Sequence, residues 1–286
     1  MQQEVQEYLN YLPDDRTTIH LSNRELDIFP DLSRFTNLRI LHCQGGNNFK
    51  YLPVLPDTLI ELYCGYNEFT YLPDLPGNLK ILFCEYNQLK RLPNLPNTLE
   101  RLYCSNNHLI GLPILPCNLQ QLYCSNNHLI SLPILPDTLQ QLFCIDNQIG
   151  HLPDLPCNLQ YLYCEHNYLL RLPILPNTLE GLFCSNNKLN YLPILPDNLY
   201  SIICNKNKIS YINEDDDIES IKRKNKIFHR FRYTYFLCRF KRRFRDFLWL
   251  KIREPKIQEQ FHPKHLAAYK DNVDECSEDQ INRIWL

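Results

Sequence analysis

Residues 79–98 read LKILFCEYNQLKRLPNLPNT and residues 99–118 read LERLYCSNNHLIGLPILPCN. The two align without a gap, and residues 59–78, LIELYCGYNEFTYLPDLPGN, align with both. The unit L-x-x-L-x-C-x-x-N-x-L-x-x-L-P-x-L-P-x-[NT] recurs every 20 residues, with cysteines at 64, 84, 104, 124, 144, 164, 184 and 204. Asparagines at 67, 87, 107, 127, 147, 167, 187 and 207 keep the same register. Sixteen of the 20 prolines fall in eight LPxLP units, so the proline count reflects the repeat and not disorder. Upstream, LRILHCQGGNNFKYLP carries one extra residue near Gly45 and Gly46, and IHLSNRELDIFP is a degenerate first unit with Arg24 at the asparagine position. About ten units therefore fill residues 19–212.

This pattern is identified as the leucine-rich repeat. Each unit supplies one short strand, and strands stack in parallel with their leucines inward, because no unit buries its apolar face alone. The expected fold is a solenoid of about ten parallel strands on a concave face. Twenty residues are too few for a convex helix, and two prolines per unit fix φ and remove amide donors, so the convex side should be extended or polyproline-like. A small amphipathic N-terminal cap (residues 1–18) uses Val5, Tyr8, Leu9 and Leu12, and residues 213–286 form a basic, aromatic helical C-terminal segment.

The periodic positions have distinct expected roles. The asparagines turn inward and satisfy backbone groups of adjacent loops. The cysteine ladder, nine residues with Cys43, has no CxxC spacing for a metal, and its side-by-side β-carbons suit disulfides poorly. Free cysteine behaves as a small core hydrophobe, and 13 mostly buried thiols point to a reducing intracellular compartment. Cys117 and Cys157 fall at turns. His108 and His128, copied in SNNHLI, read as exposed loop residues.

The residue before each cysteine alternates out of the core. It reads His42, Tyr63, Phe83, Tyr103, Tyr123, Phe143, Tyr163, Phe183 and Ile203, with variable flanks that include Arg101, Gln121, Gln141 and Tyr161. Such an aromatic stripe is a candidate protein-binding surface. Cross-strand stacking, or copying of the residue by repeat duplication, would produce the same column.

Net charge is only −2, but residues 222–253 hold 13 Lys/Arg against one acid, a net +12, and the rest of the chain a net −14. There, Phe236, Phe240, Phe244, Phe247 and Leu248 share one helical face, with Arg239, Lys241, Arg242, Arg243 and Arg245 around it. The aromatic face can close the solenoid end; the basic residues can bind nucleic acid or an anionic membrane. No glycine-rich phosphate loop, GxSxG or HExxH occurs, so no enzyme activity, cofactor, metal or small-molecule substrate is expected. The start lacks a secretory signal, and no apolar run reaches the roughly 18 residues of a membrane span.

The LPxLPxxLxxL unit over residues 52–207 resembles the repeat of secreted effectors from Gram-negative pathogens. Some of those carry a C-terminal ubiquitin-ligase domain; here 74 residues follow Ile212, and Cys238 and Cys276 do not match its C-x-D motif. The tail IREPKIQEQFHPKHLAAY, the ending INRIWL and the Asn/Ile/Tyr/Lys-rich composition are similar to leucine-rich-repeat proteins of giant amoeba-infecting DNA viruses. That resemblance implies a setting in the host cytoplasm and a host protein as partner.

Overall fold

The computed structural model describes residues 2–213 and 215–248. It contains one ten-stranded sheet, ordered in sequence from β1 to β10, with every adjacent pair parallel. The strands are β1 (Thr18–His20), β2 (Ile40–His42), β3 (Glu61–Tyr63), β4 (Ile81–Phe83) and β5 (Arg101–Tyr103), followed by β6 (Gln121–Tyr123), β7 (Gln141–Phe143), β8 (Tyr161–Tyr163), β9 (Gly181–Phe183) and β10 (Ser201–Ile203). From β3 onward, each residue pairs with the one 20 positions ahead, as Leu82 does with Leu102. The extra residue near Gly45 and Gly46 makes the β2–β3 step 21, pairing Ile40 with Glu61. Both glycines adopt positive φ, and a β-carbon on Gly46 would stand 2.9 Å from the Asn23 backbone.

The turns between Leu59 and Leu192 bury the same set, save that Leu112 is half-buried. In one repeat, Leu79, Leu82, Cys84, Leu89 and Leu92 are all in the core. Each buried leucine contributes about 1.5–3 kcal/mol relative to exposure. The LPxLP stretches carry neither helix nor strand, and the residue after the second proline opens a turn, with Leu99 N donating to Pro96 O at 3.1 Å. Neighbouring turns are stitched by alternating residue types. Thr98 Oγ1 donates to Gly77 O at 2.8 Å, and Asn118 Nδ2 donates to Asn97 O at 2.9 Å. Positions 58 to 198 alternate Thr and Asn throughout, a 40-residue period within the 20-residue one.

At the N-terminal end, helix α1 (Gln2–Tyr11) lays Val5 and Leu9 into the core, with Tyr8 and Leu12 packed beside them. The Arg34 guanidinium donates to Leu9 O and Leu12 O, satisfying carbonyls at the end of the helix. At the other end, Asp217 Oδ1 accepts from Ser220 N at 2.8 Å and caps helix α2 (Ile218–Leu248). Ile221 enters the core, and buried Asn225 donates to Pro193 O at 2.7 Å. These first turns of α2 are the contacts that close this end of the solenoid. The chain divides into two compact units between Lys226 and Ile227, inside α2. In the second unit Phe231 and Tyr233 are exposed. The side chains of Phe236, Phe240, Phe244, Phe247 and Leu248 lie outside the described residues. Among the described residues, no helix is long and apolar enough to cross a membrane.

Candidate functional site

The outward face of the sheet is built from strand residues that alternate away from the leucines. The stripe Tyr63, Phe83, Tyr103, Tyr123, Phe143, Tyr163 and Phe183 lies along it, every ring half-buried. The rings cover one another. From Tyr123 through Phe143 and Tyr163 to Phe183 the centroids are 4.1, 4.1 and 4.2 Å apart, with planes within 14° of parallel. The column also continues past its expected start, since His20 stacks on His42 and His42 on Tyr63, each at 4.6 Å. The cross-strand stacking foreseen as an alternative is therefore present. It leaves ring edges, not faces, to solvent.

The stack loosens between Tyr63 and Tyr123: Tyr63–Phe83, Phe83–Tyr103 and Tyr103–Tyr123 are 6.3, 5.8 and 4.8 Å apart and tilted by 35°, 39° and 42°. Gly65 accounts for the position of Phe83: a β-carbon there would lie 2.5 Å from Phe83 Cε1, so the Phe83 ring occupies the space left by the missing side chain.

The flanking column fixes the phenols. Tyr103 Oη donates to Gln121 Oε1 at 2.6 Å, Tyr123 Oη to Gln141 Oε1 at 2.9 Å, and Tyr63 Oη to Glu61 Oε2 at 2.9 Å. Burial, then the bond to Glu61, pushes the Tyr63 phenol up to about 12, and burial raises Tyr103, Tyr123 and Tyr163 as well. All four remain protonated donors at neutral pH. Tyr161 reaches past Gly181 to Glu180 Oε2 at 2.8 Å and to Tyr200 Oη at 2.7 Å. Arg101 stands exposed beside the stripe. The resulting surface is rich in amides and aromatic rings, with Glu61, Arg101 and Glu180 as charges beside them.

Behind it, the ladder cysteines are free and buried. Desolvation raises every one of these thiols, Cys124 to about 12. From Asn87 onward each ladder asparagine does the work expected of it, whereas Asn67 donates through Nδ2 but its buried Oδ1 accepts no hydrogen bond. Asn127 Oδ1 accepts from Leu109 N at 3.0 Å, while its Nδ2 donates to Cys104 O, Cys124 O and Ser125 O at 3.1 Å each.

Two features escaped the sequence. The second residue after each cysteine is in the left-handed region, with φ between 51° and 57° for Tyr66, Tyr86, Asn106, Asn126, Asp146, His166, Asn186 and Lys206. Four of these eight are Asn or Asp, which was the readable signal. This loop presents a second, exposed aromatic pair, Tyr66 and Tyr86, stacked at 4.3 Å. Close by in the repeat, exposed His108 and His128 stack at 5.7 Å, and His166 lies between Asp146 (3.6 Å) and Asn186 (3.2 Å). Among the described residues, no group of three or more His, Cys, Asp or Glu is gathered in a way that could hold a metal. Of the basic residues, Lys241 is exposed; the side chains of Arg239, Arg242, Arg243 and Arg245 lie outside the described residues.

No family model matches this sequence, and no curated protein does. Solved structures do. YopM, a leucine-rich effector protein from Yersinia pestis, is 35% identical, with a TM-score of 0.67 over 74% of this chain and 60% of its own. The functional domain of InlJ from Listeria monocytogenes, which includes a cysteine ladder, is 25% identical, with a TM-score of 0.63 over 72% of this chain and 47% of its own. A chain of the octameric complex of Latrophilin 3, Unc5D and the FLRT2 leucine-rich repeats is 26% identical, with a TM-score of 0.57 over 66% of this chain and 67% of its own. The chain thus spans about three-fifths of YopM and about half of the InlJ domain. With the ten-stranded parallel sheet, these likenesses establish a leucine-rich-repeat solenoid.

Proposed function

We propose that the chain is a non-enzymatic scaffold that recognises a protein, one of a host cell, through the outward face of its sheet. The observation that carries this is the pre-organised stripe. Rings stacked at about 4.1 Å, with phenols held by Gln121 and Gln141, offer aromatic contact area whose conformational entropy is already spent. The flanking column varies along the array, reading Glu61, Ile81, Arg101, Gln121, Gln141, Tyr161 and Gly181, as a specific surface requires. The similarity to YopM, an effector protein, and to a chain of the complex containing the FLRT2 repeats supports the same reading.

The test is a nuclease-treated pull-down from host-cell lysate, with bound proteins identified by mass spectrometry. Wild type is compared with Tyr103→Glu/Tyr123→Glu/Tyr163→Glu and with Arg101→Glu, which leaves the ring stack intact. A protein retained by wild type and lost from both variants, at unchanged thermal midpoint for Arg101→Glu, is the expected result. Identical captures from all three would overturn the assignment to this face.

A further inference from the structure

Three consecutive strands begin with Arg101, Gln121 and Gln141, which lie directly opposite one another in the parallel register of β5, β6 and β7. The stripe orients the two amides. Gln121 Oε1 is taken by Tyr103 Oη and Gln141 Oε1 by Tyr123 Oη, so each side chain is left with its N–H groups to offer. Neither Nε2 takes part in a hydrogen bond among the described residues. Arg101 is exposed and enters none of their ion pairs. The acids nearby are already engaged. Glu100, beside Arg101 in the chain, is held by Lys80 at 2.9 Å, Glu61 accepts from Tyr63 Oη, and Glu180 accepts from Tyr161 Oη. Glu85 is hydrogen-bonded to Ser105. The row from Arg101 to Gln141 thus presents unpaired donors to solvent.

The rings beside the row favour the same chemistry. Tyr103, Tyr123 and Phe143, on the same three strands, turn edges outward, and the edge is the positive part of the ring quadrupole, which attracts oxygen. Adjacent strands are roughly 4.7–4.9 Å apart, so the row is about 10 Å long, the span of about three extended residues. A guanidinium takes a carboxylate through two parallel hydrogen bonds, and amide N–H groups take carbonyl or carboxylate oxygens. One unpaired guanidinium is little charge for a phosphate backbone, whose binding draws on many cations. A polyanion running the length of the face would also meet Glu165 and Glu180, whereas a short acidic segment across β5–β7 stops before them.

Resting on the assignment of recognition to the outward face, we propose that the partner presents an acidic, extended peptide segment there. It lies across β5, β6 and β7, with a carboxylate in the fork of Arg101 and oxygens on the amides of Gln121 and Gln141.

The probe is a phage-displayed library of random dodecapeptides, panned on the full chain. Enriched peptides are then measured against Arg101→Glu, Gln121→Glu/Gln141→Glu and Tyr103→Glu/Tyr123→Glu/Tyr163→Glu. The double glutamine variant keeps an oxygen for Tyr103 and Tyr123, as Glu61 does for Tyr63, and exchanges the outward N–H groups for negative charge. An unchanged thermal midpoint confirms that it and Arg101→Glu are folded. Peptides enriched on wild type should carry Asp and Glu at about twice their frequency in the input, and their Kd should rise about tenfold on each of these two variants. Arg101→Glu, panned in its own right, should enrich Lys and Arg instead. Peptides without an acidic bias, or acidic peptides indifferent to both variants, would overturn the proposal; if the triple tyrosine variant loses them, recognition still belongs to this face. Peptides captured equally by the triple variant would sink that assignment as well. An absence of enriched peptides would exclude a linear segment as the occupant, and displacement of the peptides by a single-stranded DNA oligonucleotide would assign the row to phosphates. Either result overturns the proposal.

Discussion

The ring of Tyr161 lies across the α-carbon of Gly181 on the next strand, where a β-carbon would stand 2.9 Å from Tyr161 Cδ1 and 3.1 Å from Phe183 Cε2. Glycine ordinarily weakens a strand through backbone entropy and missing packing. Here its bareness lets the Tyr161 hydroxyl pass over β9 and meet Tyr200 on the approach to β10. Gly181→Val should therefore destabilise by about 1–3 kcal/mol instead of stabilising, because two rings must give way. Tyr161→Ala in the same chain should recover most of that loss, measured as a coupling energy from urea unfolding. Simple additivity of the two substitutions would mean that the contact is not the cause.

What could be read in advance and what could not divide along physical lines. The repeat, its register and the inward roles of Cys and Asn depend on residues that recur, and the structure places Cys124 and Asn127 in the core as expected. The position of Phe83 depends on a side chain that is absent at Gly65, two residues and one strand away. The contacts of Ile221 and Asn225 with the solenoid end were hidden because helical periodicity runs on far beyond them, giving the Phe236 face an equal claim. The exposure of the isoleucines of LPxLP was not legible, since burial, not pattern, distinguishes Ile114 from its leucine neighbours.

Asn127→Ala should cost about 3 kcal/mol or more. It strips the buried Leu109 amide of its acceptor and the Cys104, Cys124 and Ser125 carbonyls of a donor. Asn207 makes the equivalent bonds in the last unit but is only half-buried, so water can replace them, and Asn207→Ala should cost about 1 kcal/mol. The comparison is made from urea midpoints at constant m. Equal losses at the two positions would contradict the burial argument.

The ladder thiols should be inert in the folded protein. At neutral pH a thiol held near 12, as Cys124 is, presents about a thousandfold less thiolate than one at its ordinary value of 9.0, before occlusion is considered. Iodoacetamide should alkylate Cys117 and Cys157, which are exposed, and spare Cys43 through Cys204 of the ladder until urea is added. Peptide mass spectrometry reads each site separately. Native labelling of Cys124 as fast as Cys117 would show that the core opens.

Acid should loosen the N-terminal end first. Burial, followed by the neighbouring His20, holds the His42 imidazole below its ordinary value of 6.5, with Glu61 opposing. The unfolded chain then binds the proton more readily than the folded one. Stability is whole above pH 6.5, declines as the pH drops below it, and levels off once the folded imidazole also protonates. His42→Gln should flatten the part of the thermal-midpoint profile below pH 6.5 that this group supplies. An unaltered slope in the variant would assign the acid sensitivity to other groups.

The closure at the C-terminal end rests on a short relay. Leu192 N donates to Tyr211 Oη at 3.1 Å, Tyr211 Oη donates to Asn225 Oδ1 at 3.1 Å, and Asn225 Nδ2 donates to Pro193 O at 2.7 Å. The relay ties the last LPxLP stretch to the first turns of α2 through a side chain that is 2% exposed. Asn225→Ala leaves the Pro193 carbonyl and the Tyr211 hydroxyl without these partners in a dry setting, at a cost of about 2–3 kcal/mol. Because each repeat leans only on its neighbours, the loss should stay local. Hydrogen exchange should quicken at the amides of residues 189–204 and hold steady near Leu102 and Leu122. Uniform acceleration along the whole solenoid would instead mean that the array unfolds as one unit and that the cap governs its global stability.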